Sequence, residues 1–208
     1  MKTKRKAVIF DFGGVLSYPQ NIEIRYNFAN LLQMPFEKFQ GRYLKYRYDY
    51  DQGLINTEEY WCRITGTNNN LGKSTLTNLF LTDYKSWLII NQAMLDWSKK
   101  LQKNNIVTAI LSNMPMEYTV MMRKDFLWLE NFHPIIFSSE CKLIKPDRRI
   151  FDHILQCLKL NPEDCYFIDD NESNINMAKS IGFQTFRFQW HKNVIQELEG
   201  CLNFDFLL

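Results

Sequence analysis

At 208 residues the chain is long enough for one α/β domain carrying a smaller insertion. A hydrophobic fraction of 46%, a charged fraction of 23% and a net charge of +2 are those of an ordinary soluble globular protein. That charge balance gives no reason to expect a nucleic-acid or anionic-membrane partner.

The basic stretch from Lys2 to Lys6 reads as a solvated lead-in to the first strand. The apolar run after it is too short for a signal peptide and is broken by Asp11. No stretch is long enough to span a bilayer, so a cytoplasmic location is expected. Ala7-Val8-Ile9-Phe10, followed by Asp11 and the pair Gly13-Gly14, predicts a buried parallel strand over 6–12. From 19 to 87 the pattern turns helical and aromatic, with apolar residues at helical spacing over 22–32, 35–48, 57–64 and 74–80. Asn56-Thr57-Glu58-Glu59 is a helix start, with a capping residue and acids in the first turn. The run Asn68-Asn69-Asn70 predicts a surface loop. An amphipathic helix over 91–103 follows.

The rhythm then changes to alternating strands and helices. Strands are expected at 106–111, 134–138, 165–169 and 184–188. Helices are expected at 115–129, 148–158, 173–181 and 192–202, with Gly182 as a C-cap. This alternation implies α/β architecture, a doubly wound and mostly parallel sheet. Its core domain would comprise 1–18 and 88–208, and the helical insertion 19–87. The five cysteines, Cys62, Cys141, Cys157, Cys165 and Cys201, are scattered and odd in number, which fits a reduced set better than a disulfide framework. With His133, His153 and His191 they make no zinc pattern.

Each chemistry-bearing segment begins at the carboxyl end of a predicted strand, where open α/β sheets place ligands. Strand one ends in Asp11, strand two in Ser112-Asn113, and strand four in Asp169-Asp170; the loop after strand three carries Lys145-Pro146. An aspartate attacking a phosphoryl group needs charge neutralisation on several sides. A second acidic cluster can hold Mg²⁺, a hard cation that takes oxygen ligands. A lysine can offset the crowded charge and keep the nucleophile ionised.

Four segments in this order resemble the haloacid dehalogenase (HAD) superfamily of aspartate-nucleophile hydrolases: Asp11-Phe12-Gly13-Gly14-Val15-Leu16, Leu111-Ser112-Asn113, Lys145-Pro146-Asp147 with Ile150-Phe151, and Phe167-Ile168-Asp169-Asp170-Asn171 through Asn174. The resemblance implies a HAD-like Rossmannoid core with an inserted helical cap. It points to the branch of the epoxide-hydrolase phosphatase domain and the sugar-phosphate phosphatases. By it, Asp11 is the nucleophile that forms an aspartyl-phosphate, and Ser112 and Asn113 bind the phosphoryl group. Lys145 neutralises charge between nucleophile and phosphate and also contacts the substrate. Mg²⁺ is held by Asp11, the Gly13 carbonyl, Asp170 and, through water, Asp169, with Asn174 orienting that arrangement. The partner it implies is a small phosphorylated molecule, and the aromatic-rich cap could provide a homodimer interface.

Two positions depart from the family pattern. Gly13 stands where its phosphatases carry an acid–base aspartate, and Lys142 where this branch carries glycine. Gly13 keeps two other readings open. One is a HAD-fold binding or interaction protein with impaired turnover; the other is a haloacid dehalogenase, which the pair Asp169-Asp170 opposes because dehalogenation needs no Mg²⁺. Taken singly, Asp11 and Ser112 also read as helix caps, and Lys145 as a plain loop lysine. The cluster Arg42, Tyr43, Lys45, Tyr46, Arg47, Tyr48 and Tyr50 reads either as a wall for a phosphosugar or nucleotide, or as one helix with a solvated basic face and inward tyrosines.

Overall fold

Strand β1 (Ala7–Phe10) is buried on both faces, and this is why its sequence is continuously apolar rather than alternating. The computed structural model describes residues 6–67 and 71–202; the lead-in at 2–5 and the loop expected at 68–70 lie outside the described residues. After β1 the chain leaves the sheet and forms α1 (Ile22–Leu31), α2 (Phe36–Asp51), α3 (Thr57–Thr65) and α4 (Lys73–Ser86). Helix α5 (Gln92–Lys103) brings it back to β2 (Val107–Ser112). There follow α6 (Met116–Asp125), a 3₁₀ turn (Leu127–Asn131), β3 (Ile135–Phe137), the short α7 (Ser138–Cys141) and α8 (Arg148–Leu158). Strand β4 (Cys165–Asp169), α9 (Glu172–Ile181), β5 (Gln184–Arg187) and α10 (Val194–Leu202) complete the described chain.

The strands pair in parallel in the order β3-β2-β1-β4-β5. The winding reverses direction at β1, so the crevice lies beyond the carboxyl ends of β1 and β4. Val8 and Phe10 point into a core shared with α5, α10 and the inserted helices α1–α4. Ala7 and Ile9 point into a second core built with α8 and α9. Each large apolar side chain buried this way contributes about 1.5–3 kcal/mol.

Residues 16–18 and 89–91, which join the insertion to the sheet, run side by side. Tyr18 N–H donates to the Ile89 carbonyl at 2.8 Å and Asn91 N–H to that of Leu16 at 2.9 Å. The expected start of α3 is a reciprocal cap: Asn56 accepts from Glu59 N–H while the Glu59 carboxylate accepts from Asn56 N–H. Gly182, at φ 108°, ends α9 in the left-handed region. All five cysteines are free thiols.

One expected helix is shorter in the structure, and one short helix was not expected at all. The helix expected over 115–129 stops at Asp125, and Trp128 then stacks on Phe12 and meets Phe132 edge-on, so aromatic packing replaces the continued helix by a 3₁₀ turn. Helix α7, four residues long, is too short to leave a periodic signal.

Candidate active site

Asp11 leaves β1 with its backbone still in the ladder, its N–H donating to the Ile168 carbonyl at 2.9 Å. Its carboxylate is nearly buried, and Lys145 Nζ lies 2.9 Å from Oδ2. The same ammonium lies 2.6 Å from Asp169 Oδ2 and so bridges the ends of β1 and β4. Asp169 is fully buried and fully engaged: Asn174 Nδ2 donates to Oδ1 and Oδ2 at 3.1 and 3.0 Å, and Asn171 N–H donates to Oδ1 at 2.8 Å.

Asn113 holds Lys145 by its backbone. Its Oδ1 accepts from Lys145 N–H, and its Nδ2 donates to the Lys145 carbonyl, each at 2.9 Å. The side-chain amide of Asn113 is therefore committed at both ends to the main chain of the lysine. Ser112, at the end of β2, is buried, and its hydroxyl makes no hydrogen bond to a described residue. Asp170 is exposed to the crevice. Its carboxylate occupies the space left by Gly14: at φ +79°, a Cβ on residue 14 would lie 2.4 Å from Asp170 Oδ2.

Carboxylate oxygens of Asp11, Asp169 and Asp170 lie within 4.8 Å of one another. Burial pushes Asp11 up to about 8; Lys145 opposes the rise, while Asp169 and Asp170 add to it. Burial and then Asp169 also raise Asp170. Burial works against the Lys145 charge, yet Asp11 and Asp169 hold that ammonium above its ordinary value. Three crowded carboxylates facing one ammonium form a site that a hard divalent cation fits, and the donors are all oxygen.

A cavity of about 370 Å³ opens above these groups, lined by Asp11, Ser112, Lys145 and Asp170 from the sheet side and by residues of the insertion. Sequence reasoning missed most of the latter. Fully buried Asp83 of α4 accepts from Tyr43 at 2.7 Å, Tyr118 at 2.6 Å and Gln20 at 2.8 Å, and pairs with Arg47 at 3.2 Å. Arg47 Nε donates to Asp51 Oδ1 at 2.7 Å. Burial pushes Asp51 up to about 6 against the pull of Arg47. The basic aromatic cluster on α2 thus divides: Tyr43 and Arg47 face the cavity, Tyr50 packs inward, and Tyr48 is exposed.

The family model for haloacid dehalogenase-like hydrolases matches residues 5–182. The chain belongs to this family. It is 27% identical over 96% of its length to mouse acyl-CoA dehydrogenase family member 10, and 24% identical over 93% to rat bifunctional epoxide hydrolase 2. It spans only 19% and 38% of those two relatives' lengths. Over 42% of this chain and 55% of the relative, it is 29% identical to a D-ribitol-5-phosphate phosphatase of Bacteroides thetaiotaomicron. A HAD family enzyme of the same organism, solved with magnesium and inorganic phosphate, superposes with a TM-score of 0.73 at 26% identity, over 89% of this chain and 95% of that one.

Both departures from the HAD pattern have visible local consequences. A Cβ on Gly13 would lie 3.5 Å from Trp87 Cζ3, so the indole borders the place a residue-13 side chain would occupy. Lys142 sits at φ 59°, in the left-handed region that glycine adopts freely. Its Nζ donates to the Gly53 carbonyl and its own carbonyl accepts from Gln52 Nε2 at 2.7 Å, so it ties the loop after α7 to the end of α2. Among the described residues no helix is long and apolar enough to cross a membrane.

Proposed function

We propose that this HAD hydrolase is a Mg²⁺-dependent phosphatase that cleaves a small phosphomonoester through an aspartyl-phosphate on Asp11. The observation that carries the reading is the Asp11, Asp169 and Asp170 cluster, with Lys145 bridging Asp11 and Asp169, in a cavity also lined by Ser112, whose hydroxyl makes no hydrogen bond to a described residue. Asp11 would attack phosphorus, Ser112 would donate to a phosphoryl oxygen, and Lys145 would face the charge between them. Asp11, Asp170 and the Gly13 carbonyl would hold the ion, with Asp169 acting through water and Asn174 fixing Asp169. The bound ion would supply positive charge beside the phosphoryl oxygens. Residues 19–87 would serve as a cap that excludes water and selects the leaving group. The D-ribitol-5-phosphate phosphatase among the relatives, and the magnesium and phosphate in the superposed enzyme, support this chemistry.

The test is hydrolysis of 4-nitrophenyl phosphate with and without Mg²⁺, beside Asp11→Asn. Mg²⁺-dependent turnover lost in the variant is expected. Thermal stabilisation by Mg²⁺ and inorganic phosphate with no turnover would favour the second reading, a binding protein, which Gly13 motivates.

A further inference from the structure

Departure of an alcohol from a phosphomonoester requires a proton on the leaving oxygen, and Gly13 has no side chain to deliver it. The protonatable side chains lining the cavity can be sorted by what they already hold. Asp11 is the proposed nucleophile and Asp170 a proposed ion ligand. Lys145 lies between two carboxylates. Tyr43 and Tyr118 both donate to Asp83, and Tyr84 donates to Asp125 at 2.7 Å. Asp51 differs: Arg47 holds Oδ1, while Oδ2 takes no hydrogen bond from a described residue.

The main chain at Asp51 is fixed to the sheet domain. Ser138 Oγ donates to the Asp51 carbonyl and accepts from Met114 N–H at 2.8 Å, two residues beyond Ser112. The end of α2 is therefore registered to the phosphoryl-binding strand.

We propose that Asp51 protonates the leaving oxygen, delivering from the insertion the proton that residue 13 cannot. The proposal rests on the phosphatase reading above. In the first step an Asp11 oxygen bonds to phosphorus, the bond from phosphorus to the leaving oxygen breaks with its electron pair staying on that oxygen, and the Asp51 proton completes the alcohol. In the second step water attacks phosphorus, Asp51 takes its proton, and the bond from Asp11 to phosphorus breaks, freeing inorganic phosphate and restoring both carboxyl groups. The charged groups around Asp51 are Arg47 on its own helix, Asp83 on α4 and Lys145 on the loop after α7, while Lys142 on that same loop binds Gly53, two residues on from Asp51. Burial poises the carboxyl near 6, where a useful fraction carries the proton at working pH.

The experiment compares kcat/KM for 2,4-dinitrophenyl phosphate and phenyl phosphate in the wild type and Asp51→Asn. This ratio reports only steps up to departure of the leaving group. Loss of about 10²–10⁴-fold is expected on phenyl phosphate, whose leaving group needs the proton, against less than about tenfold on the dinitrophenyl ester. Partial recovery on phenyl phosphate in the Asp51→Asn, Gly13→Asp double variant would support the assignment and show that the fold survives. Equal losses on both esters, or none, would overturn it. If the wild type hydrolyses neither ester, the phosphatase reading itself falls, and the proposal with it.

Discussion

Asn113 and Lys145 are locked by a two-way clamp, in which one side-chain amide satisfies both the N–H and the carbonyl of the lysine at 2.9 Å. The clamp joins the end of β2 to the loop between α7 and α8 and thereby sets where the ammonium meets Asp11. Replacing Asn113 by Ala leaves two buried backbone groups unpaired, at about 1–3 kcal/mol each before water repairs them. The expected outcome is a fall in kcat/KM of about 10²-fold, because a displacement near 1 Å is enough for that loss. Asn113→Ala should therefore resemble a mild Lys145 variant in kinetics. Steady-state turnover alongside denaturant unfolding checks both parts, and unchanged turnover with reduced stability would separate the clamp from catalysis.

Gly13 and Gly14 are adjacent but should respond oppositely to a methyl group. A Cβ on Gly13 meets Trp87 at an ordinary 3.5 Å, whereas one on Gly14 meets Asp170 Oδ2 at 2.4 Å with φ +79°. Gly14→Ala should lose about 1–2 kcal/mol from the left-handed backbone alone. It should also displace the Asp170 carboxylate and weaken Mg²⁺ binding. Gly13→Ala should keep Tm within about 3 °C, the shift that 1 kcal/mol produces in a chain of this size. Thermal unfolding with and without Mg²⁺ reads both.

The strands and the four motif segments were legible because buried parallel strands are written as apolar runs and the motifs lie at their ends. Lys145 and Asn113 were visible as residues, but their clamp was not, since it depends on backbone groups brought together across 32 positions. The polar wall of the cavity was legible only in part. Tyr43 and Arg47 stood in one of the two readings of the α2 cluster, whereas Asp51 and Asp83 lie in helices where charges ordinarily read as a solvated face, and only tertiary packing places Asp51 in the lining and Asp83, fully buried, against Tyr43 and Arg47. Lys142 stood out as a departure from the family, yet its bond to Gly53 could not be read before α2 was placed.

Lys142 should show opposite contributions from backbone and side chain. At φ 59° the lysine carries a conformational cost that glycine lacks, while Nζ supplies a bond to the insertion. Lys142→Ala keeps the cost and loses the bond, and Lys142→Gly loses both. The glycine variant should therefore be more stable than the alanine variant by about 1 kcal/mol. Denaturant midpoints rank them, and the reverse order would mean that added freedom in the unfolded chain outweighs the relief.

Asp51 should make stability fall as pH rises. In an unfolded chain an aspartate titrates near 3.8, whereas burial in the folded protein raises Asp51 to about 6. Between those values the folded state holds a proton that the unfolded state has lost, so its contribution is complete below pH 4 and disappears as pH passes 6. Asp51→Asn stays neutral throughout and lacks this dependence. Relative to that variant, the wild type should lose about 1–3 kcal/mol between pH 4 and pH 7. Urea unfolding of both proteins at the two pH values measures the difference, in which titrations common to both cancel. A wild type that gains on the variant instead would mean that the Arg47 guanidinium outweighs burial. Asp51 would then be ionised at working pH, and the leaving-group dependence of the two proteins should coincide.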